Sequence, residues 1–184
     1  MWGKHEREPM LKKIAIVLIV LIAGILAFAA TKPNEFSVER SAVVNAPPDR
    51  VFALLNDFHN WPSWSPWEKL DPNMKRTHSG SPSGVGAVYN WEGNSDVGKG
   101  RMEIVESTSP SHVGIKLDFM EPMEANNKTD LTLTPEGSGT KVRWAMHGQN
   151  NFMSKVMQVF MSMDSMIGKD FEAGLANMNA AVQK

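Results

Sequence analysis

The residues best equipped for chemistry in this chain are aromatic. Trp61-Pro62-Ser63-Trp64-Ser65-Pro66-Trp67 sets three indoles three residues apart, and Tyr89, Trp91 and Trp144 complete the set. Flat rings with a single N–H or O–H at one edge offer apolar contact area and one orienting hydrogen bond. That combination suits the binding of an apolar small molecule better than bond breaking. Large rings also fill cores, so each of them has a structural reading beside the functional one. Two prolines keep the Trp61–Trp67 segment out of regular helix, and loop aromatics have less reason to be buried. Trp64 and Trp67 are therefore expected at the mouth of a cavity.

Other chemistries have little support. The chain has no cysteine, which removes disulfides, thiolate nucleophiles and Cys-ligated zinc or iron–sulfur centres. His59, His78, His112 and His147 show neither HxxxH nor HExxH spacing, so no metal or other cofactor is expected. The serines lack a GxSxG elbow. Gly93-Asn94-Ser95-Asp96-Val97-Gly98-Lys99-Gly100 lacks the spacing and following helix of a phosphate loop and reads as a hairpin turn. Glu68 with Asp71, or His78 with Glu92, can be drawn as acid and base, but nothing in the spacing makes either pair converge, so no catalytic residue is assigned. Charge is balanced, with 19 Lys and Arg against 20 Asp and Glu, and there is no run of like charge. Nucleic acid is not an expected partner.

The elements that must position the aromatic set follow from periodicity. Phe36 to Val44 reads as a strand stopped by Asn45-Ala46-Pro47-Pro48. Pro48 suits a first helical turn, and Val51, Phe52, Leu54 and Leu55 form an apolar face. Five or six strands follow: Met74 to His78, Ala87 to Glu92, Gly100 to Ser107, His112 to Asp118, Glu124 to Thr134 and Thr140 to Gln149. Pro135-Glu136-Gly137-Ser138-Gly139 is the clearest hairpin turn. Val113, Ile115, Leu117 and Phe119 alternate with His112, Lys116 and Asp118. Val142, Trp144 and Met146 alternate with Lys141, Arg143 and His147, which puts His112 and His147 in solvent and gives the sheet one wet and one apolar face. From Phe152 to Val182 apolar residues recur at steps of three and four, which predicts one amphipathic helix of about 45 Å. A helix is about 10 Å wide and cannot seal a twisted sheet along its length. A pocket is expected in the gap.

At the other end, Ile14 to Ala30 carries no charge, and only Gly24 interrupts its apolar run. As a helix it spans about 26 Å, against a hydrocarbon core of about 30 Å, and snorkelling of Lys12 and Lys13 relieves the difference. Lys4, Arg7, Lys12 and Lys13 precede it and Lys32 follows closely, so the positive-inside bias keeps residues 1–13 cytoplasmic and delivers the main domain outside a cell (inner) membrane, into the periplasm or beyond. Ala27-Phe28-Ala29 also fits a signal-cleavage pattern, which would export the domain after cutting near Ala29. Residues 31–35, with Lys32-Pro33-Asn34, form a linker, and residues 36–184 form one domain.

Three stretches together carry a resemblance: Ser41-Ala42-Val43-Val44-Asn45-Ala46-Pro47-Pro48-Asp49-Arg50-Val51-Phe52 with the Trp61–Trp67 loop behind it, Gly84-Val85-Gly86-Ala87-Val88-Tyr89-Asn90-Trp91, and Gly139-Thr140-Lys141-Val142-Arg143-Trp144. From Phe36 to the carboxyl end the chain resembles the helix-grip (SRPBCC) superfamily of START domains, birch-pollen-allergen proteins and polyketide cyclase or dehydrase-like proteins, and in particular the last of these. The resemblance implies an α+β fold in which a curved antiparallel sheet grips a long carboxyl-terminal helix, with an apolar cavity between them. It does not imply catalysis.

The resulting expectation is a membrane-tethered module that holds a hydrophobic small molecule, such as a lipid, fatty acid or polyketide-like compound. Its ligand-binding residues are expected to be Trp64, Trp67, Tyr89, Trp91, Leu117, Trp144 and Met146, with Met163, Ile167 and Phe171 from the final helix. Two alternatives stand beside it: a cyclase or dehydratase-like enzyme, and an envelope protein-interaction domain whose cavity is vestigial.

Overall fold

In a computed structural model of the chain, residues 7–183 are described, with side chains from Met10 onward. Lys4 and the side chain of Arg7, both invoked for orientation, lie outside that range. Two compact units emerge. One joins the amino-terminal segment through Asn34 to the later stretch Asn150–Ser162, and the other holds Glu35–Gln149 and the chain from Met163 on.

In the first unit, helix α1 runs from Arg7 to Ala30. Its Met10–Ala30 portion, 21 residues, is long and apolar enough to cross a membrane by length and composition. At 1.5 Å per residue those residues make about 31 Å of helix, the thickness of a hydrocarbon core. The helix is longer than the uncharged run alone because Leu11, Lys12 and Lys13 are all good helix formers.

The second unit opens with strand β1 (Glu35–Val44) and helix α2 (Pro48–Leu55), whose Val51, Phe52 and Leu55 are buried. Two short 3₁₀ turns, Phe58–Ser63 and Pro66–Lys69, carry the indole segment. Six strands follow: β2 (Lys75–Gly80), β3 (Ala87–Glu92), β4 (Lys99–Thr108), β5 (His112–Glu121), β6 (Ala125–Glu136) and β7 (Gly139–Gln149). All pair antiparallel in the order β1-β7-β6-β5-β4-β3-β2. The expected alternation holds, with Val113, Ile115, Val142, Trp144 and Met146 buried on one face. Gly137, at φ 60°, makes the tight β6–β7 hairpin, a left-handed position that glycine adopts without a Cβ penalty.

The carboxyl-terminal region corrects the expectation of one helix from Phe152 to Val182. Two helices are present, α3 (Phe152–Met157) and α4 (Met163–Ala181), separated by turns. Apolar residues keep arriving at helical spacing through the break, so periodicity alone passes over it. The restart has its own signals: Ser162 stands just before α4 and Asp164 falls in its first turn, both residue types that favour helix starts. Asp164 is also fixed from β1, where Arg40 donates to its two carboxylate oxygens at 2.7 and 2.9 Å and to Glu172 one face along at 2.7 Å.

Helix α4 lies along the apolar side of the sheet and buries Phe171, Leu175 and Met178. Gly174 lets it approach closely, since a Cβ there would meet the Trp144 ring at 2.7 Å. The result is an α+β helix-grip fold in which the curved sheet wraps the last helix.

Candidate functional site

The site begins in the indole segment. Trp61 Nε1–H donates to the Leu55 carbonyl at 3.2 Å and Trp64 Nε1–H to the Leu54 carbonyl at 3.3 Å. Both bonds satisfy carbonyls at the end of α2 that have no partner inside that helix. The segment is thereby folded down onto the core.

Between this segment, the sheet and α4 lies a cavity of about 240 Å³. That is slightly below the roughly 300 Å³ at which pockets for drug-sized molecules begin. Eight of the ten expected residues line it: Trp67, Tyr89, Trp91, Leu117, Trp144, Met146, Ile167 and Phe171. Two do not. Trp64, expected at a cavity mouth, is fully buried and sets its ring edge against Trp144 at 5.4 Å, because the loop that carries it is itself packed into the core. Met163, in the first turn of α4, packs against the core from outside the cavity.

The aromatic walls are mutually braced. Trp144 stacks on Phe171 at 4.2 Å and 8°, while Trp67 stands edge-on to both. Tyr89 follows Trp91 at 6.2 Å, and Trp91 meets Phe119 edge-on at 5.7 Å. Sequence reasoning left out Ser65, Met74, Val97, Met102, Phe119 and Thr129 of the lining. Phe119 was on the apolar face of its strand, so its signal was present. Thr129 follows from the same alternation in β6, where its neighbours Leu131 and Leu133 are buried.

The polar end is the larger surprise. Glu68 lines the cavity, is 9% exposed, and pairs with neither Asp71 nor another acid. One of its oxygens accepts from Tyr89 Oη–H at 2.5 Å and the other from Arg76 Nε–H at 2.6 Å. Arg76 also donates to the carbonyls of Met74 and Glu68, at 2.8 and 3.0 Å. Burial pushes the Tyr89 hydroxyl well above the ordinary phenol range, and the bond to Glu68 adds to it, so the phenol keeps its proton as a donor. A second polar feature is Trp144 Nε1–H, which is buried with no acceptor among the described residues. An unmet buried donor is costly, and it sits in the wall of a cavity.

Asp71, Glu92, His78 and His112 are engaged elsewhere, and His147 is exposed as expected. Asp71 accepts from the backbone N–H groups of Asn73 and Asn94 at 2.9 and 2.7 Å and so staples two loops. Glu92 pairs at the surface with Lys99 at 3.4 Å. His78 stacks on His59 at 4.1 Å, and partial desolvation together with the nearby His59 lowers its pKa. His112, expected in solvent, is instead partly enclosed and meets Asp130 at 3.0 Å. Among the described residues no three His, Asp or Glu gather in a way that could hold a metal ion.

A family model described as polyketide cyclase / dehydrase and lipid transport matches residues 35–183. The chain belongs to that family. Family membership suggests hydrophobic ligand binding. No curated protein matches the chain. Solved structures similar to this family member include a protein from Chromobacterium violaceum, at 16% identity and TM-score 0.58, covering 83% of this chain and 99% of that one. The ginseng major latex-like protein 151 from Panax ginseng matches at 14% identity and TM-score 0.59, over 83% and 100%. A protein from Nitrosospira multiformis reaches 22% identity and TM-score 0.56, over 79% and 94%. At these identities the likeness shows the fold.

Proposed function

We propose that the chain is a membrane-tethered binding module for one hydrophobic small molecule, held between α4 and the sheet. The observation that carries this reading is the cavity itself, walled by braced aromatic and aliphatic side chains with hydrogen-bonding groups at few points. A lipid, fatty acid or polyketide-like compound fits that chemistry. Its apolar body lies against Trp67, Trp91, Leu117, Met146, Ile167 and Phe171. An oxygen on the ligand supplies the acceptor that Trp144 Nε1–H lacks, or competes for the Glu68–Tyr89 pair.

Helix α1 supplies the tether in this reading. Its length matches a bilayer, and Lys12 and Lys13 near its amino-terminal end keep that end cytoplasmic, so the binding unit lies outside the inner membrane. Cleavage near Ala29 is the competing fate of the same segment.

The enzymatic alternative draws on one specific observation, a buried carboxylate in the cavity wall. Glu68 already shares both oxygens with Tyr89 and Arg76, an arrangement that favours positioning over proton transfer. The test is to extract the full chain in mild detergent, identify co-purified small molecules by mass spectrometry, and titrate the delipidated protein with a fluorescent fatty-acid probe. Saturable binding that Phe171→Ala weakens supports the cavity as the site. No co-purified apolar molecule and no probe binding would sink the carrier reading.

A further inference from the structure

Asn150–Ser162 carries its apolar side chains the wrong way round for water. Phe160 is 69% exposed and Phe152 53%, and Met153, Met157 and Met161 are exposed with them. Ser154, Lys155 and Gln158 are partly covered along with Val156 and Val159, so polar side chains take cover while five larger apolar ones stay outside. In a water-facing amphipathic segment the polar residues would be outside.

The same stretch is fastened to the foot of α1 within the first unit. Asn150 N–H donates to the Asn34 carbonyl at 2.7 Å, Asn150 Nδ2–H to the Pro33 carbonyl at 3.1 Å, and Lys155 Nζ to Asn34 Oδ1 at 2.5 Å. Helix α3 packs on α1 itself. Ala29, near the end of the apolar run, is fully buried, and Ile25 one turn before it is partly covered. Pro33 and Asn34 come three and four residues after Ala30, the end of α1, near the level where a spanning helix leaves hydrocarbon for headgroups. Helices lying in that interface sink their apolar face about 5–10 Å into the boundary.

We infer that Phe152–Met161 is a second membrane contact, a short interfacial element that lays Phe152, Met153, Met157, Phe160 and Met161 into the outer leaflet beside the end of α1. This rests on the tether reading of α1. The occupant is lipid because these exposed apolar side chains belong to an element packed on α1, whose own apolar side chains are exposed in the same unit, and because Lys32 and Lys155 stand beside it where phosphate headgroups begin.

The chain has no cysteine, so single labelling sites are clean. The full chain carrying Phe160→Cys, Ile22→Cys or Ser138→Cys is labelled with a polarity-sensitive dye and reconstituted in vesicles of phosphatidylethanolamine and phosphatidylglycerol, with nitroxide lipids as quenchers. The expected result is a drop of about twofold or more for the 160 label with shallow nitroxides, quenching of the 22 label by deep ones, and neither for the 138 label in the β6–β7 hairpin. Met153→Cys, on a second exposed apolar position, must report the same depth as Phe160→Cys. A 160 label as unquenched as the 138 label, while the 22 label is quenched, would overturn the inference and leave the tether intact. A 160 dye that is shielded from water yet unquenched by lipid would place protein over this face and overturn it as well. An unquenched 22 label removes the tether reading, and the inference falls with it.

Discussion

Glu68 is the residue on which the cavity's polar end depends. Its side chain is nearly out of solvent, and Arg76 is the cation that compensates it. Arg76→Ala leaves a buried carboxylate with the Tyr89 hydroxyl and no charge partner, which predicts a loss of about 3 kcal/mol in urea unfolding, at the lower end for broken buried pairs because Arg76 itself is partly exposed. Tyr89→Phe removes one donor and predicts a loss of about 1–3 kcal/mol by the same measurement. The two variants separate stability from recognition: if the pair also orients the ligand, Tyr89→Phe weakens binding of a fatty acid more than of a pure hydrocarbon probe. His78 adds a pH dependence. Its folded pKa is lowered, by partial desolvation of an otherwise exposed ring first and then by His59, so the unfolded chain takes up a proton near the ordinary histidine value of about 6.5 while the folded chain resists it. Stability is therefore full above that pH and declines as pH falls through it. A denaturation series across this range checks the sign, and His78→Gln flattens the slope.

At the scale of elements, the close approach of α4 to the sheet sets the cavity's shape. Gly174→Ala places a methyl against Trp144, whose ring is stacked on Phe171 and cannot swing aside cheaply. Overpacking of this kind costs about 1–3 kcal/mol, and the displaced indole narrows the cavity, so probe affinity falls with stability. The clamp from Arg40 to Asp164 and Glu172 is at the surface. Arg40→Ala should speed amide exchange in the first turns of α4 with little change in global unfolding, and high salt should mimic it in part. Strands were legible in the sequence because a period of two puts Val142, Trp144 and Met146 on one face whatever lies opposite. The α3–α4 break was not, since Val156, Val159, Phe160 and Met163 sustain helical spacing across it. Trp64 was placed wrongly for a related reason: two prolines mark a loop but do not say that the loop's indoles will bond the end of α2. The partners of Glu68 lie 8 and 21 residues away on other elements, and no local pattern reports such a contact.

For the whole molecule, the topology reading has a direct check. A reporter active only outside the cytoplasm, fused after Gln183, should be active, and a cytoplasm-only reporter at the same place should be silent; the reverse pattern would remove the proposed location. Intact mass from the membrane fraction then shows whether residues before Ala30 persist. The way the first unit is assembled bears on what that mass would mean. Its two pieces are more than a hundred residues apart in the chain, so a protease cutting near Ala29 removes one piece and leaves Phe152, Phe160 and their methionines attached to the ligand-binding unit. Processing would then convert a permanent resident into a visitor that docks and departs, with dwell time set by a handful of side chains rather than by a helix through the bilayer. An alkaline carbonate wash distinguishes the two forms, since it strips the cut chain and spares the uncut one.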